Sequence, residues 1–164
     1  MKIVICGAGL VGAGIAAHLA EEHNDVTVID ASAEKIQRVT DQVDVHGVVG
    51  TASYPDILHE AGAKDAELLI AVTESDEVNM VACQVAHTIY NTPVKIARIR
   101  HQAYLDPLYG DLYSPDQLPI DHIISPEAEV SAAVSNQIRV PGAFDVKDMC
   151  CLLYTSPSPR DSLE

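Results

Sequence analysis

The sequence predicts an α/β fold in which a doubly wound parallel sheet of six strands carries helices on both faces. The chain of 164 residues opens on a short apolar run that stops at a glycine-rich turn, and a helical stretch follows directly. Further apolar runs then alternate with helical stretches through short connections, which is typical of a parallel sheet covered on both faces. Six strands in this rhythm suit the order 3-2-1-4-5-6, with a ligand at the carboxyl ends of strands 1, 2 and 4.

The first strand is predicted over residues 3–6 and ends at three closely spaced glycines. Gly7 permits a tight turn, Gly9 lets a pyrophosphate approach the backbone, and Gly12 lets the next helix pack on the strand. That helix is predicted over 13–22, and the free N–H groups at its start are expected to face the phosphates. The turn therefore predicts a site for a nucleotide or dinucleotide.

Leu10 and Val11 lie within the turn and belong to the predicted cofactor site. The second strand, residues 26–29, ends at Asp30, which follows Gly12 by 18 residues. An acid at this position can accept both hydroxyls of an adenosine ribose. The alternative interpretation is a glycine turn beside a solvated aspartate that binds nothing.

The remaining elements follow from apolar runs, capping residues and turn residues taken in chain order. The later strands are apolar runs bounded by glycine or polar residues, and they are predicted over 45–49, 68–72, 95–99 and 120–124. The later helices begin at a capping residue or near a proline, and they are predicted over 33–42, 53–62, 77–91 and 126–139. A stretch rich in Tyr, Pro and Gly, residues 101–114, is expected to hold at most a loose helix. Together these elements predict a Rossmann-like fold.

Composition excludes several classes of protein. The formal net charge of −14 argues against nucleic-acid binding, which depends on neutralising phosphates with Lys and Arg. No apolar run approaches the roughly 18 residues that a membrane span needs, so we expect no membrane insertion. The fold begins at Met1, so we expect no signal peptide and a cytosolic protein. The four cysteines and seven histidines show no metal-ligand spacing, and we predict no metal site.

Five local sequences converge on one family. They are Gly7-Ala-Gly-Leu-Val-Gly12, Gly50-Thr-Ala-Ser53, Ala61-Gly-Ala-Lys-Asp-Ala66, Ala71-Val-Thr-Glu-Ser-Asp-Glu-Val-Asn-Met80 and Ile96-Ala-Arg-Ile-Arg100. In this order they closely resemble the N-terminal RCK (KTN) nucleotide-binding domain of the TrkA family of Trk potassium uptake proteins. The resemblance covers about residues 1–149.

The resemblance implies that the chain is not an enzyme but a cytosolic regulatory subunit that gates a Trk-type potassium uptake channel. It implies NAD(H) as ligand, with ATP or ADP as alternatives at the same site. It also implies a homo-oligomer when full length, whose partner is a TrkH-type transmembrane potassium channel subunit. The localisation that follows is cytoplasmic, peripheral at the inner face of the cell membrane through that partner.

By the same resemblance, residues 1–139 form the nucleotide-binding domain and residues 140–150 begin a truncated C-terminal subdomain. Residues 151–164 are rich in Ser and Pro and show no periodic pattern. We expect this composition to leave the tail disordered. The tail also resembles a translated sequencing-adapter stretch, so we expect it to be non-native.

The resemblance also implies that Gly50, Thr51 and Ser53 lie beside the adenine, after the third strand. Physically, a glycine and two hydroxyls at the end of a strand can approach an aromatic edge closely. The alternative is a turn of small residues before the helix that contains Pro55.

Polar residues after the fourth and fifth strands complete the predicted site. Thr73, Ser75 and Asp76 are expected to face the second half of a dinucleotide or a terminal phosphate, although Ser75 or Asp76 can equally cap the next helix. Three further residues are expected to point at the same place: Asn79, one turn into that helix, and Arg98 and Arg100, on one face of the fifth strand. A polyphosphate would pair with the arginines, but Asp76 or Glu74 would serve as an internal partner.

The alternative function is the cofactor-binding domain of an NAD-dependent oxidoreductase that lacks its catalytic domain. The dyad Tyr-x-x-x-Lys of short-chain reductases is absent, because no tyrosine has a lysine four residues later. A regulatory role instead requires that two nucleotides stabilise different arrangements of the domain, since only a difference in affinity shifts an equilibrium.

Overall fold

The computed structural model describes residues 1–125. Its six-stranded sheet is parallel throughout and has the order β3-β2-β1-β4-β5-β6, as predicted. The strands are β1 to β6 in chain order: Lys2–Cys6, Asp25–Asp30, His46–Val49, Leu68–Ala71, Val94–Arg98 and His122–Ile124. The chain therefore reverses its direction of winding between β1 and β4, and a crevice opens there at the carboxyl ends of the strands.

Four α-helices connect these strands, α1 to α4 in chain order: Leu10–Glu21, Ala33–Gln42, Pro55–Glu60 and Asp76–Thr88. Short 3-10 helices occupy Ala63–Asp65, Gln102–Leu105 and Pro107–Tyr113. The two in the stretch after β5 agree with the loose helix expected there. Within residues 1–125, no helix is long and apolar enough to cross a membrane.

Apolar clusters cover both faces of the sheet. Alternate residues of β1 enter opposite clusters, with Ile3 and Ile5 in one and Val4 and Cys6 in the other. The first cluster packs against α1 and α2, and the second against α3 and α4. Burial on both faces explains why β1 reads as a continuous apolar run rather than an alternating one.

Cys6 and Cys83 are buried free cysteines in the cluster under α3 and α4. Burial raises the pKa of the Cys83 thiol to about 12 and raises that of Cys6 as well. Both thiols are therefore protonated at neutral pH and act as small apolar core groups.

Several element boundaries differ from the prediction. The helix predicted over 13–22 begins at Leu10, because Gly9 serves as its N-cap and Gly12 belongs to its first turn. The helix predicted over 53–62 is shorter, Pro55–Glu60, and Gly62 beyond it has a left-handed φ of 83°. The predicted helix 126–139, the end of the predicted domain and the two segments after residue 139 lie outside the described residues.

Candidate functional site

A cavity of about 490 Å³ lies at the carboxyl ends of β1, β2 and β4, where the order of the sheet reverses. Eleven of the fifteen predicted site residues line it, namely Gly7, Gly9, Leu10, Val11, Asp30, Gly50, Thr51, Thr73, Ser75, Arg98 and Arg100. Its position is the one that open α/β sheets use for ligands. The cavity is therefore the candidate site.

The glycines of the turn differ in what their backbone positions demand. Gly7 has a φ of 111°, and a Cβ there would come within 2.9 Å of the Val72 carbonyl oxygen. A Cβ on Gly12 would collide with the carbonyl oxygen of Gly7, so Gly12 lies under the turn rather than on the cavity wall. A Cβ on Gly9 would meet no atom within 4 Å. The fold itself thus requires Gly7 and Gly12, whereas the missing side chain at Gly9 leaves space at the cavity.

The start of α1 differs from the starts of α2 and α4. Ser32 accepts a hydrogen bond from the Lys35 N–H at 3.2 Å, and Ser75 accepts one from the Val78 N–H at 3.2 Å. Gly9, the N-cap of α1, has no side chain to accept such a bond, and the first turn of α1 contains no acidic residue. The N–H groups and the positive dipole end of α1 therefore face the cavity without a side-chain acceptor, which suits an anionic group.

Asp30 lines the cavity and also holds the glycine turn. One of its carboxylate oxygens accepts the Ala8 N–H at 2.8 Å, and the other accepts the Ser32 N–H at 2.8 Å. Since each carboxylate oxygen can accept more than one hydrogen bond, Asp30 retains capacity for a ligand hydroxyl. The sequence predicted that Asp30 borders the ligand site, but it did not reveal the hydrogen bonds by which Asp30 holds the turn.

Two of the three residues predicted to lie beside the adenine line the cavity, and the third does not. Gly50 donates its N–H to the Asp30 carbonyl oxygen at 2.9 Å, which brings the end of β3 beside the end of β2. Gly50 and Thr51 line the cavity, and Ser53 is not among its lining residues. Only the first two predicted residues of this group are thus available to a ligand in the cavity.

Asp76 and Asn79 also lie outside the cavity lining, contrary to the expectation that their side chains point into it. The Asp76 carboxylate accepts the N–H groups of Arg100 and His101, each at 2.9 Å. Asn79 is fully buried and bonds to Thr73 and Arg98. Both side chains therefore bond to the protein itself, and Asp76 also lines a second cavity next to this one.

The two arginines reach the cavity from the end of β5. That strand ends at Arg98, so Arg100 lies beyond it rather than on one strand face with Arg98. The Arg98 guanidinium donates to the Thr73 carbonyl oxygen at 2.9 Å, which joins the ends of β4 and β5. Both arginines remain cavity-lining residues.

The cavity has a charge balance unlike that of the whole chain. Its lining contains three cationic side chains, Lys35, Arg98 and Arg100, and two acidic ones, Asp30 and Glu74. The chain as a whole has 10 Lys and Arg against 24 Asp and Glu. A lining with more cationic than acidic side chains, in so acidic a chain, favours an anionic ligand.

Sequence reasoning left Lys35, Glu74 and Val78 out of the predicted site, although all three line the cavity. Lys35 lies one turn beyond Ser32 in α2, so its closeness to Asp30 along the chain was the available signal. Among residues 1–125, no group of three His, Cys, Asp or Glu side chains is arranged to hold a metal ion.

The uncapped start of α1 and the carboxylate of Asp30 border the same cavity at the switch point of the sheet. The fold and this geometry define a Rossmann-like domain of the nucleotide-binding type. The chain belongs to the TrkA-N domain family, whose model matches residues 3–126. This match confirms the resemblance that the five local sequences predicted.

The chain is similar to the Trk system potassium uptake protein TrkA of Azorhizobium caulinodans. It is 57% identical over 145 residues, a stretch that covers 88% of this chain and 32% of the relative. The chain thus spans about a third of the length of that relative.

Solved structures share the fold at lower identity. The TrkA-N domain of the inner membrane protein ybaL from Escherichia coli has a TM-score of 0.71 and 18% identity, over 84% of this chain and 96% of that one. The GsuK channel bound to NAD has a TM-score of 0.64 and 17% identity, over 81% of this chain and 22% of that one. The Shewanella denitrificans Kef C-terminal domain in its AMP-bound form has a TM-score of 0.66 and 19% identity, over 87% of this chain and 84% of that one.

Proposed function

We propose that this chain is an NAD(H)-binding and adenine-nucleotide-binding regulatory domain of a Trk-type potassium uptake system. The observation that carries the proposal is the space beside Gly9, which the fold does not need and a ligand phosphate would use. Membership of the TrkA-N family and the named relative support the potassium uptake system. Domains of the same fold that bind NAD and AMP support the ligand class.

The residues present fit such a ligand. The backbone N–H groups at the start of α1, around Leu10 and Val11, would hold the phosphates. Asp30 would accept ribose hydroxyls, and Gly50 with Thr51 would border the adenine. On this proposal the ligand provides binding energy and no chemistry, and the domain is not an enzyme.

ATP and ADP are the proposed alternative ligands of the same cavity. They share the adenosine and the first two phosphates with NAD(H), and they differ in what lies beyond. Four cavity-lining residues at the ends of β4 and β5 would border that far part, namely Thr73, Ser75, Arg98 and Arg100. A terminal phosphate and a nicotinamide would interact differently with the two guanidinium groups, and this difference in affinity would shift the conformational equilibrium.

The proposed partner is a TrkH-type transmembrane potassium channel subunit, which the protein would meet at the inner face of the membrane as a full-length homo-oligomer. Nothing in this role requires the domain to enter the bilayer or to bind nucleic acid. In this role the nucleotide-binding domain senses the nucleotide, and the channel subunit conducts the potassium ion.

Potassium flux tests this role. A full-length protein that carries this domain is reconstituted with a TrkH-type subunit in vesicles, and flux is measured with ATP, with NADH and without nucleotide. We expect flux to change with nucleotide, and Asp30→Ala to weaken the response without abolishing assembly. Flux that ignores both nucleotides, with assembly confirmed by size-exclusion chromatography, would contradict the proposal.

Cofactor choice gives a second prediction. The charge of Asp30 would repel the 2′-phosphate of NADP(H), so NADH should bind at least about tenfold more tightly than NADPH, or about 1.4 kcal/mol. Lys35 opposes this preference, because it lies in the same cavity lining. Lys35→Ala should therefore widen the ratio. Calorimetric titration measures both affinities, and equal values for the unaltered protein would refute the ribose role of Asp30.

A further inference from the structure

The side chain of Asn79 makes four hydrogen bonds, and all of them join it to the cavity-lining residues Thr73 and Arg98. Its Oδ1 accepts from the Thr73 N–H at 2.9 Å and from the Thr73 hydroxyl at 2.6 Å. Its Nδ2 donates to the carbonyl oxygens of Thr73 at 3.2 Å and Arg98 at 2.9 Å. The residue has 0% exposure, so water does not compete for these bonds.

The orientation of this amide follows from its partners. The Thr73 N–H can only donate, and the Arg98 carbonyl oxygen can only accept, so Oδ1 must face the first and Nδ2 the second. An amide is thus the group that satisfies both strand ends at once. A carboxylate of the same shape would set an oxygen against the carbonyl oxygens of Thr73 and Arg98.

These bonds join two cavity-lining residues that lie on neighbouring strand ends. Thr73 follows β4, Arg98 ends β5, and Arg98 itself donates to the Thr73 carbonyl oxygen at 2.9 Å. Three residues further back, Asp76 holds the backbone of Arg100 through its own carboxylate. The first turn of α4 therefore fixes the cavity wall at the ends of β4 and β5.

We propose that Asn79 is a positioning residue, which holds Thr73 and Arg98 in the geometry that the part of the ligand beyond adenosine monophosphate requires. The inference rests on the proposed function. It differs from the sequence prediction for Asn79, because the residue acts behind the wall and does not contact the ligand. It predicts that loss of the amide affects long ligands and spares short ones.

A comparison of AMP with NADH tests the two halves of the cavity separately. AMP carries only the adenosine and one phosphate, whereas NADH is longer and on this proposal would extend toward Thr73 and Arg98. Asn79→Asp removes the two amide donor bonds, so NADH affinity should fall at least about tenfold while AMP affinity stays within about twofold. Gln84→Glu is the matched control, since it makes the same chemical change on the same helix at a residue that does not line the cavity. It should alter neither affinity.

Equal losses for AMP and NADH in the Asn79→Asp protein would assign Asn79 a general structural role and overturn the proposal, as would no loss for either ligand. If the unaltered protein bound neither AMP nor NADH, the proposed function would fail instead. Binding of AMP and NADH to the unaltered protein therefore shows whether the proposed function has failed or only the inference about Asn79.

Hydrogen exchange of the unaltered protein tests the same point without a variant, so it holds even where Asn79→Asp does not fold. The Thr73 amide exchanges only when its bond to Asn79 opens. Saturating NADH should slow this exchange at least about tenfold more than saturating AMP does. Equal protection by the two ligands would contradict a link between Asn79 and the far part of the cavity.

Discussion

Gly9→Val should reduce the affinity for NADH and for ATP together, by at least about a hundredfold, or about 2.7 kcal/mol. A Cβ on Gly9 meets no protein atom within 4 Å, so the branched side chain would occupy open space beside the start of α1. That space is where the proposed phosphates approach the backbone. Both ligands carry those phosphates, so both should be excluded by the same side chain.

The fold should survive this change. Gly9 has an ordinary backbone conformation, with φ of −73° and ψ of −167°, which any residue adopts. Valine is a poor N-cap, so we expect a loss of only about 1 kcal/mol in the free energy of unfolding. Gly110→Val is the matched control, because a Cβ there also meets nothing within 4 Å and the residue does not line the cavity.

Calorimetry with each ligand and a thermal melt of each variant complete the measurement. Gly110→Val should bind both ligands as the unaltered protein does. If Gly9→Val retained unaltered affinity for either NADH or ATP, that ligand would not lie against the glycine turn.

Gly12→Ala should have the opposite signature, with a large loss of stability. The added Cβ collides with the Gly7 carbonyl oxygen, which belongs to backbone and cannot rotate away. Gly7 is itself held in place, because its N–H bonds to the Ile29 carbonyl oxygen at 2.7 Å. The helix must therefore move off the strand, and we expect a loss of at least about 3 kcal/mol.

A loss of that size lowers the melting temperature by roughly 6–12 °C for a chain of this length. Gly110→Ala is the control and should melt within about 1–2 °C of the unaltered protein, since a shift under about 0.5 kcal/mol is usual at such sites. An unchanged melting temperature for Gly12→Ala would mean that α1 packs on β1 with room to spare, contrary to the structure.

The fold was predictable because its signals are local. The apolar run of β1 is buried on both faces, and the glycines that follow enforce one turn. Ser32 caps α2, which has the predicted bounds. The alternation of strands and helices then leaves few topologies, because parallel crossovers are right-handed. Strand order 3-2-1-4-5-6 follows from these constraints and agrees with the structure.

The site was predictable only in part, because sequence gives proximity and not the direction of a side chain. Asp76 and Asn79 lie near the cavity along the chain, yet their side chains turn inward to bond the ends of β4 and β5. Those bonds join residues 19 or 24 positions apart, which no local pattern reveals. Lys35 lines the cavity from the first turn of α2, and its position in the sequence does not show that its side chain reaches the site.

Native mass spectrometry tests the central claim, that one cavity binds both classes of adenine nucleotide. The purified protein is sprayed with NADH, with ATP, and with an excess of both. We predict one equivalent of either ligand for each chain, no monomer that carries both, and loss of both adducts in Gly9→Val. A single chain that holds NADH and ATP together, or a protein that retains neither, would contradict the account.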